Sequence, residues 1–201
     1  METTKMIKTA SAVDVFLKIL QGFMIAGFAV CLIFIPLVAI LGEKMVASAS
    51  SLDLGALRIQ LAGGNAEYLN AGGFKLNMIG MLGVVAVIVA IGWYFLRVLR
   101  QILAPMKQGR PFESGVSDKI KKLGWVALIG GFVTAFGGSL ASILELKCYD
   151  LNAIFTSPAI SGIGFNYSFG LGFAILALVL FFLSFIFKSG EELQQESDET
   201  L

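Results

Sequence analysis

The residues that usually carry chemistry are scarce in this chain of 201 residues, which has no histidine and two cysteines. Without imidazole there is no Ser-His triad, no histidine general base and no histidine-ligated metal. Cys31 and Cys148 fall in different apolar runs at different depths, whereas a disulfide needs Cα atoms within about 7 Å. They read as small apolar space-fillers. No pair of Asp or Glu at ligand spacing falls within an apolar run, so no transition-metal site is expected. The expectation is a protein that is not an enzyme, with no catalytic residue, metal or cofactor.

What remains is charge and shape. The stretch from Arg97 to Lys122, RVLRQILAPMKQGRPFESGVSDKIKK, holds seven of the fifteen Lys and Arg residues. Within it Gly109, Arg110, Pro111 and Phe112 form a turn by composition. That turn has two readings: a chain reversal whose Phe112 dips into the membrane interface, or an exposed basic and aromatic corner that a cytoplasmic partner could grip. The acidic end of the chain divides in the same way. Glu191, Glu192, Glu196, Asp198 and Glu199 are either a solvated tail or an answer to the basic central stretch or to a basic protein.

The elements that must position these residues follow from composition. With 57% hydrophobic and 14% charged residues, the chain lies far from the soluble average of about 45 to 50% and about 25%. Its apolar residues come in four uncharged runs, each long enough to cross a hydrocarbon core of about 30 Å. The spans are placed at about 19–42, 76–96, 123–144 and 166–187, giving an all-α membrane protein of four transmembrane helices in two hairpins. Basic residues and an Ala47-Ser48-Ala49 sequence flank the first run, but it is far longer than a signal-peptide core and reads as a retained anchor. Residues 1–12 are polar and expected to fray, with Asp14 and Lys18 at the interface. Pro36 cannot donate to the carbonyl of Leu32 and predicts a kink.

Trp93 and Tyr94 suit the headgroup level, and Arg97 and Arg100 follow as snorkelling anchors. Leu96, Leu99, Ile102 and Leu103 at helical spacing carry the second helix past the surface to Pro105. Ser117, with Asp118 behind it, predicts the start of the third helix, its hydroxyl capping free amides. In the first outer connection, 43–75, Leu52, Leu54, Leu57, Ile59 and Leu61 alternate with polar residues, which predicts a short strand or hairpin. The second outer connection, 145–165, shows a similar alternation from Ile160 to Asn166 and could add a strand beside it. Counting Lys and Arg near the span ends puts eleven on the side of both termini and the central loop, against Lys44, Arg58, Lys75 and Lys147 on the other. By the positive-inside rule the termini, the loop 97–122 and the tail 188–201 are cytoplasmic.

No ionisable residue falls at a span centre, which disfavours a carrier or pump. A net charge of +1 offers no footprint for direct nucleic-acid binding. Gly130, Gly131, Gly137 and Gly138 repeat at seven in the third span, and Gly164, Ser168 and Gly172 repeat at four entering the next. These small residues read as close helix-packing positions, with a flexible point in a signalling helix as the sharper alternative. Glycine-lined helices with aromatic ends could also leave a cleft for an apolar or uncharged small molecule, a lipid or a quinone. Lipid is the one partner the composition requires, and homo-oligomerisation stays open.

Four spans, a K-x-G-x-P-F turn (Lys107 to Phe112) and a G-x-x-L-Q-x-E-x-D-E-T segment (Gly190 to Thr200) together resemble the YoaS-like family of small four-span bacterial membrane proteins of unknown function. The resemblance covers nearly the whole chain. It implies a place in the bacterial inner membrane and a sensing or regulatory role, with a small DNA-binding, helix-turn-helix type regulator as cytoplasmic partner. It supplies no catalytic residues. Gly109 to Phe112 and the tail acids are the residues such a partner would meet.

Overall fold

The structure, a computed structural model, describes residues 2–46, 51–54, 57–60, 71–148 and 171–199. Four long helices dominate it: α1 (Glu2–Val46), α2 (Ala71–Met106), α3 (Val116–Cys148) and α4 (Leu171–Glu199). Two short strands, β1 (Ser51–Leu54) and β2 (Leu57–Gln60), lie between α1 and α2. They pair antiparallel, Ser51 opposite Gln60 and Leu54 opposite Leu57, so the alternation in the first connection forms a hairpin on itself. The strand considered for residues 160–166, and most of the second connection, lie outside the described residues.

Each helix contains a stretch long and apolar enough to cross a membrane. Only 11%, 6%, 28% and 11% of the most apolar window in α1 to α4 is buried, while Phe23, Ile40, Phe136, Phe182 and Phe185 are each at least 70% exposed. Apolar surface on that scale is not tolerated in water. The chain is an integral, multi-pass membrane protein whose outward faces are solvated by lipid.

Helix boundaries depart from the sequence expectation at several ends. Residues 2–12, expected to fray, continue α1. The reason is packing: Ala10, Asp14, Leu17 and Gln21 recur at helical spacing and are all buried, a stripe whose two polar members hid it from a hydrophobicity reading. Pro36 lies inside α1. Likewise the acidic tail is not a loose end, since α4 runs through Glu199; the expected start of this span at 166 lies outside the described residues. Extension of α2 beyond the apolar run is as expected, with Pro105 in its last turn.

The contacts divide the chain into two compact units. The first comprises Met1–Phe28, Val87–Thr134 and Phe169–Leu201. Its core is Val98, Ile102, Val116, Ile120 and Leu123, with Tyr94, Phe95, Leu99, Met106, Leu180 and Phe187 packed around it. The amphipathic face expected from Leu96, Leu99, Ile102 and Leu103 is thus centred on Val98 and Ile102, one turn apart. Within this unit α1 and α2 are antiparallel, since Asp14 meets Arg100 and Lys107 while Met24 meets Gly92. So are α3 and α4, since Ser117 meets Glu191 while Gly131 meets Phe173. The second unit comprises Ala29–Ala86 and Ala135–Ser168. There α2 and α3 approach closely: a Cβ on Gly80 would lie 2.6 Å from Leu144 Cδ1, and one on Gly137 would overlap Val84 Cγ1.

Candidate functional site

The turn after α2 is built by its glycine. Gly109 has φ 78°, a left-handed conformation in which a Cβ is strained. Its N–H donates to Met106 O at 3.1 Å, and the N–H of Arg110 donates to Pro105 O at 3.1 Å. This is a Schellman stop, which satisfies two carbonyls that the helix end would otherwise leave open. Pro111 follows and cannot resume the helix. Gly109 and Pro111 therefore terminate α2, and Arg110 and Phe112 are what the turn displays.

Phe112 lies on α4. Its ring centroid is 5.4 Å from that of Phe187, and a Cβ on Gly190 would come within 2.6 Å of Phe112 Cδ1. Gly190 is the seat for the ring. One residue on, Glu191 reaches the start of α3: its carboxylate accepts from Ser117 N at 2.6 Å, Ser117 Oγ at 2.9 Å and, more weakly, Gly115 N at 3.4 Å. Ser117 was expected to cap this helix with its own hydroxyl. Instead that hydroxyl donates to Glu191, whose full negative charge at the amide end of α3 is favoured by the helix dipole. Ser184 Oγ donates to Ser117 O at 2.9 Å, tying α4 to α3 a second time. The two polar segments, residues 107–112 and 190–199, thus meet at Phe112 and Gly190.

Beside them opens a cleft of about 750 Å³, lined by Arg110, Phe112, Glu113, Ser114, Gly115, Ser117, Asp118, Lys188, Glu191, Glu192, Gln194, Gln195 and Glu199. Five carboxylates face two cations there. Glu191 is engaged by α3, which leaves Glu113, Asp118, Glu192 and Glu199 to outweigh Arg110 and Lys188. The tail acids do not meet the basic loop as a block. Glu191 binds amides and a hydroxyl rather than a cation, Glu192 and Glu199 line the cleft, and Glu196 is exposed on α4 outside it. Asp198 belongs to α4, and its side chain lies outside the described residues.

The strongest polar assembly was not anticipated. Asp14, 4% exposed, accepts from Arg100 Nε at 2.8 Å and from Lys107 Nζ at 2.6 Å, while Arg100 Nη1 donates to Gln21 Oε1 at 2.6 Å. Lys18 Nζ stands 3.7 Å from the same carboxylate. Arg100, expected to snorkel, turns inward because a buried carboxylate on α1 offers it a charge-assisted bond. Arg97 instead points outward, its guanidinium 5.5 Å from the centroid of the Trp93 ring. The available sequence signal was Asp14 and Gln21 seven residues apart, two turns along one face, at the entry to an apolar run.

Of the glycines expected to pack helices, three do so. A Cβ would meet Ile91 from Gly130 at 3.2 Å, Phe173 from Gly131, and Val84 from Gly137. On Gly138 and Gly172 a Cβ would meet nothing within 4 Å, and Gly164 and Ser168 lie outside the described residues. Gly124, not anticipated, sits within 2.7 Å of the Phe181 ring by the same measure. Between the helices of the first unit an apolar cavity of about 280 Å³ remains, lined among others by Met24, Gly92, Ala127, Gly130, Thr134 and Phe173. Cys31 is a buried free thiol. Among the described residues no cluster of three or more His, Cys, Asp or Glu could hold a metal ion.

Comparisons with known proteins return nothing: no family model, no curated protein and no solved structure matches this chain.

Proposed function

We propose that the protein is a regulatory or sensing component of a bacterial inner membrane, with both termini cytoplasmic, that docks a soluble partner in the cleft between the Gly109 to Phe112 turn and the α4 tail. The observation that carries this reading is that two segments remote in sequence, bracketed by Phe112 on Gly190 and Glu191 on Ser117, line one acidic cleft. A DNA-binding protein presents basic groups to phosphate. An acidic cleft on a membrane protein would compete with DNA for that basic surface. It would hold a helix-turn-helix type regulator at the membrane and release it when α4 moves. The orientation rests on the Lys and Arg bias, and the regulator on the family resemblance.

The test is co-purification of cytoplasmic proteins with the full chain and with Glu192→Lys/Glu199→Lys, Arg110→Ala and Phe112→Ala variants. The charge reversal leaves the Glu191 bracket intact and should abolish capture of a DNA-binding protein. Equal recovery by every variant would refute the proposal.

A second reading is favoured by the apolar cavity of about 280 Å³ among α1 to α4: binding of an uncharged apolar molecule, a lipid or a quinone, between the spans. Ala127→Phe fills that cavity. Loss of a co-purifying apolar molecule in this variant, with capture of a soluble partner unchanged, would select the second reading over the first.

A further inference from the structure

A groove on the α1–α2 pair has an excess of positive charge beyond one end. It has a volume of about 220 Å³ and is lined by Met24, Ile25, Phe28, Val89, Ala90 and Trp93, so its walls are apolar throughout. Arg97 stands next to its Trp93 end, with its guanidinium over the indole. Helix geometry extends the same line on both walls. Lys18 precedes Ile25 by seven residues and Arg97 follows Ala90 by seven, and seven residues return a helix to nearly the same face about 10 Å further along. Because α1 and α2 are antiparallel, both displacements run toward the same end.

At that end three cations gather around one carboxylate, and Arg97 stands beside them on α2. Asp14 serves Arg100, Lys107 and, at longer range, Lys18, while Arg97 has an aromatic face as its partner. Lys18 is 57% exposed and Arg97 is exposed, both beside surfaces that only lipid can solvate. A slot fit for a hydrocarbon chain, closed by Trp and ended by exposed cations, has the shape and charge of a phospholipid with a net negative headgroup. We infer that this face binds an anionic phospholipid, with an acyl chain in the groove and the headgroup phosphate at the Lys18 and Arg97 end. The inference is independent of the cleft at the α4 tail.

The chain has two tryptophans, Trp93 and Trp125, so Trp125→Phe leaves Trp93, in the groove wall, as sole reporter. The full-length Trp125→Phe protein is reconstituted in phosphatidylcholine vesicles containing a small fraction of brominated phosphatidylglycerol or brominated phosphatidylcholine, and quenching of Trp93 is read. The brominated phosphatidylglycerol should quench at much lower mole fraction than the brominated phosphatidylcholine. Lys18→Gln and Arg97→Gln should each weaken its relative affinity about fivefold, the effect of one cation at a membrane surface. Ala90→Phe, which fills the groove and leaves the charges, should remove the preference. Equal quenching by the two lipids, a preference unchanged in the Gln variants, or its reversal by excess inorganic phosphate would each overturn the inference.

Discussion

Replacing Asp14 by alanine is expected to lower the unfolding temperature of the detergent-solubilised protein by about 5 to 10 °C. Asp14 receives two short charge-assisted bonds, from Arg100 and Lys107, and a bond to a charged group is worth about 1.5 to 3 kcal/mol. The cations are not wholly buried, their side chains being 31% and 32% exposed. Water recovers part of what they lose, and discounting by about half leaves roughly 2 to 3 kcal/mol. For a protein of this size each kcal/mol moves the midpoint by about 2 to 4 °C. Lys18 is the internal control: its pair is i,i+4, 3.7 Å long and 57% exposed on the lysine side, and such pairs contribute about 0.3 to 0.5 kcal/mol. Lys18→Ala should therefore shift the midpoint by about 2 °C or less. The damage in Asp14→Ala comes from stranding two cations, so adding Arg100→Leu and Lys107→Leu should restore part of the loss, as apolar replacement of buried ion pairs does elsewhere. Thermal unfolding followed by size-exclusion fluorescence reads all four proteins. An Asp14→Ala midpoint no lower than that of Lys18→Ala, or a triple variant no more stable than Asp14→Ala, would refute the reasoning.

Three further outcomes follow from the same contacts. Glu191→Ala removes the acceptor at the start of α3 and should cost about 1 kcal/mol, in the range of a lost helix cap; amide exchange should rise at Ser117 while mid-α3 is unchanged. Gly190→Ala pushes a methyl into the Phe112 ring and should destabilise by about 1 to 3 kcal/mol, with recovery when Phe112→Ala is added, as read by thermal unfolding. Gly137→Leu, whose Cβ would overlap Val84, should lower the unfolding midpoint clearly more than Gly138→Leu, where the space is open. The order of those two midpoints checks which of the adjacent glycines faces a neighbouring helix.

Four helices, their approximate spans, the hairpin after α1 and the stop at Gly109 were legible in the sequence because each depends on local properties. A run of uncharged residues commits a segment to the bilayer, since an unpaired backbone cannot stay in hydrocarbon. Alternation at two and a glycine free to turn left-handed act over a few residues. What the tertiary structure decided is the rotation of each helix about its axis. In a soluble helix the apolar stripe announces that rotation, but in lipid both faces are apolar and the stripe disappears. Hence Asp14 looked like an interfacial residue until α1 and α2 were placed side by side, bringing it to Arg100 and Lys107, 86 and 93 positions away. Gly130 and Gly138 looked equivalent, and only the neighbouring helix separates them. Glu191 read as one acid in a soluble tail, because its partner is the amide end of α3 at Ser117, 74 residues earlier, and a backbone amide leaves no complementary charge in the sequence to pair with it.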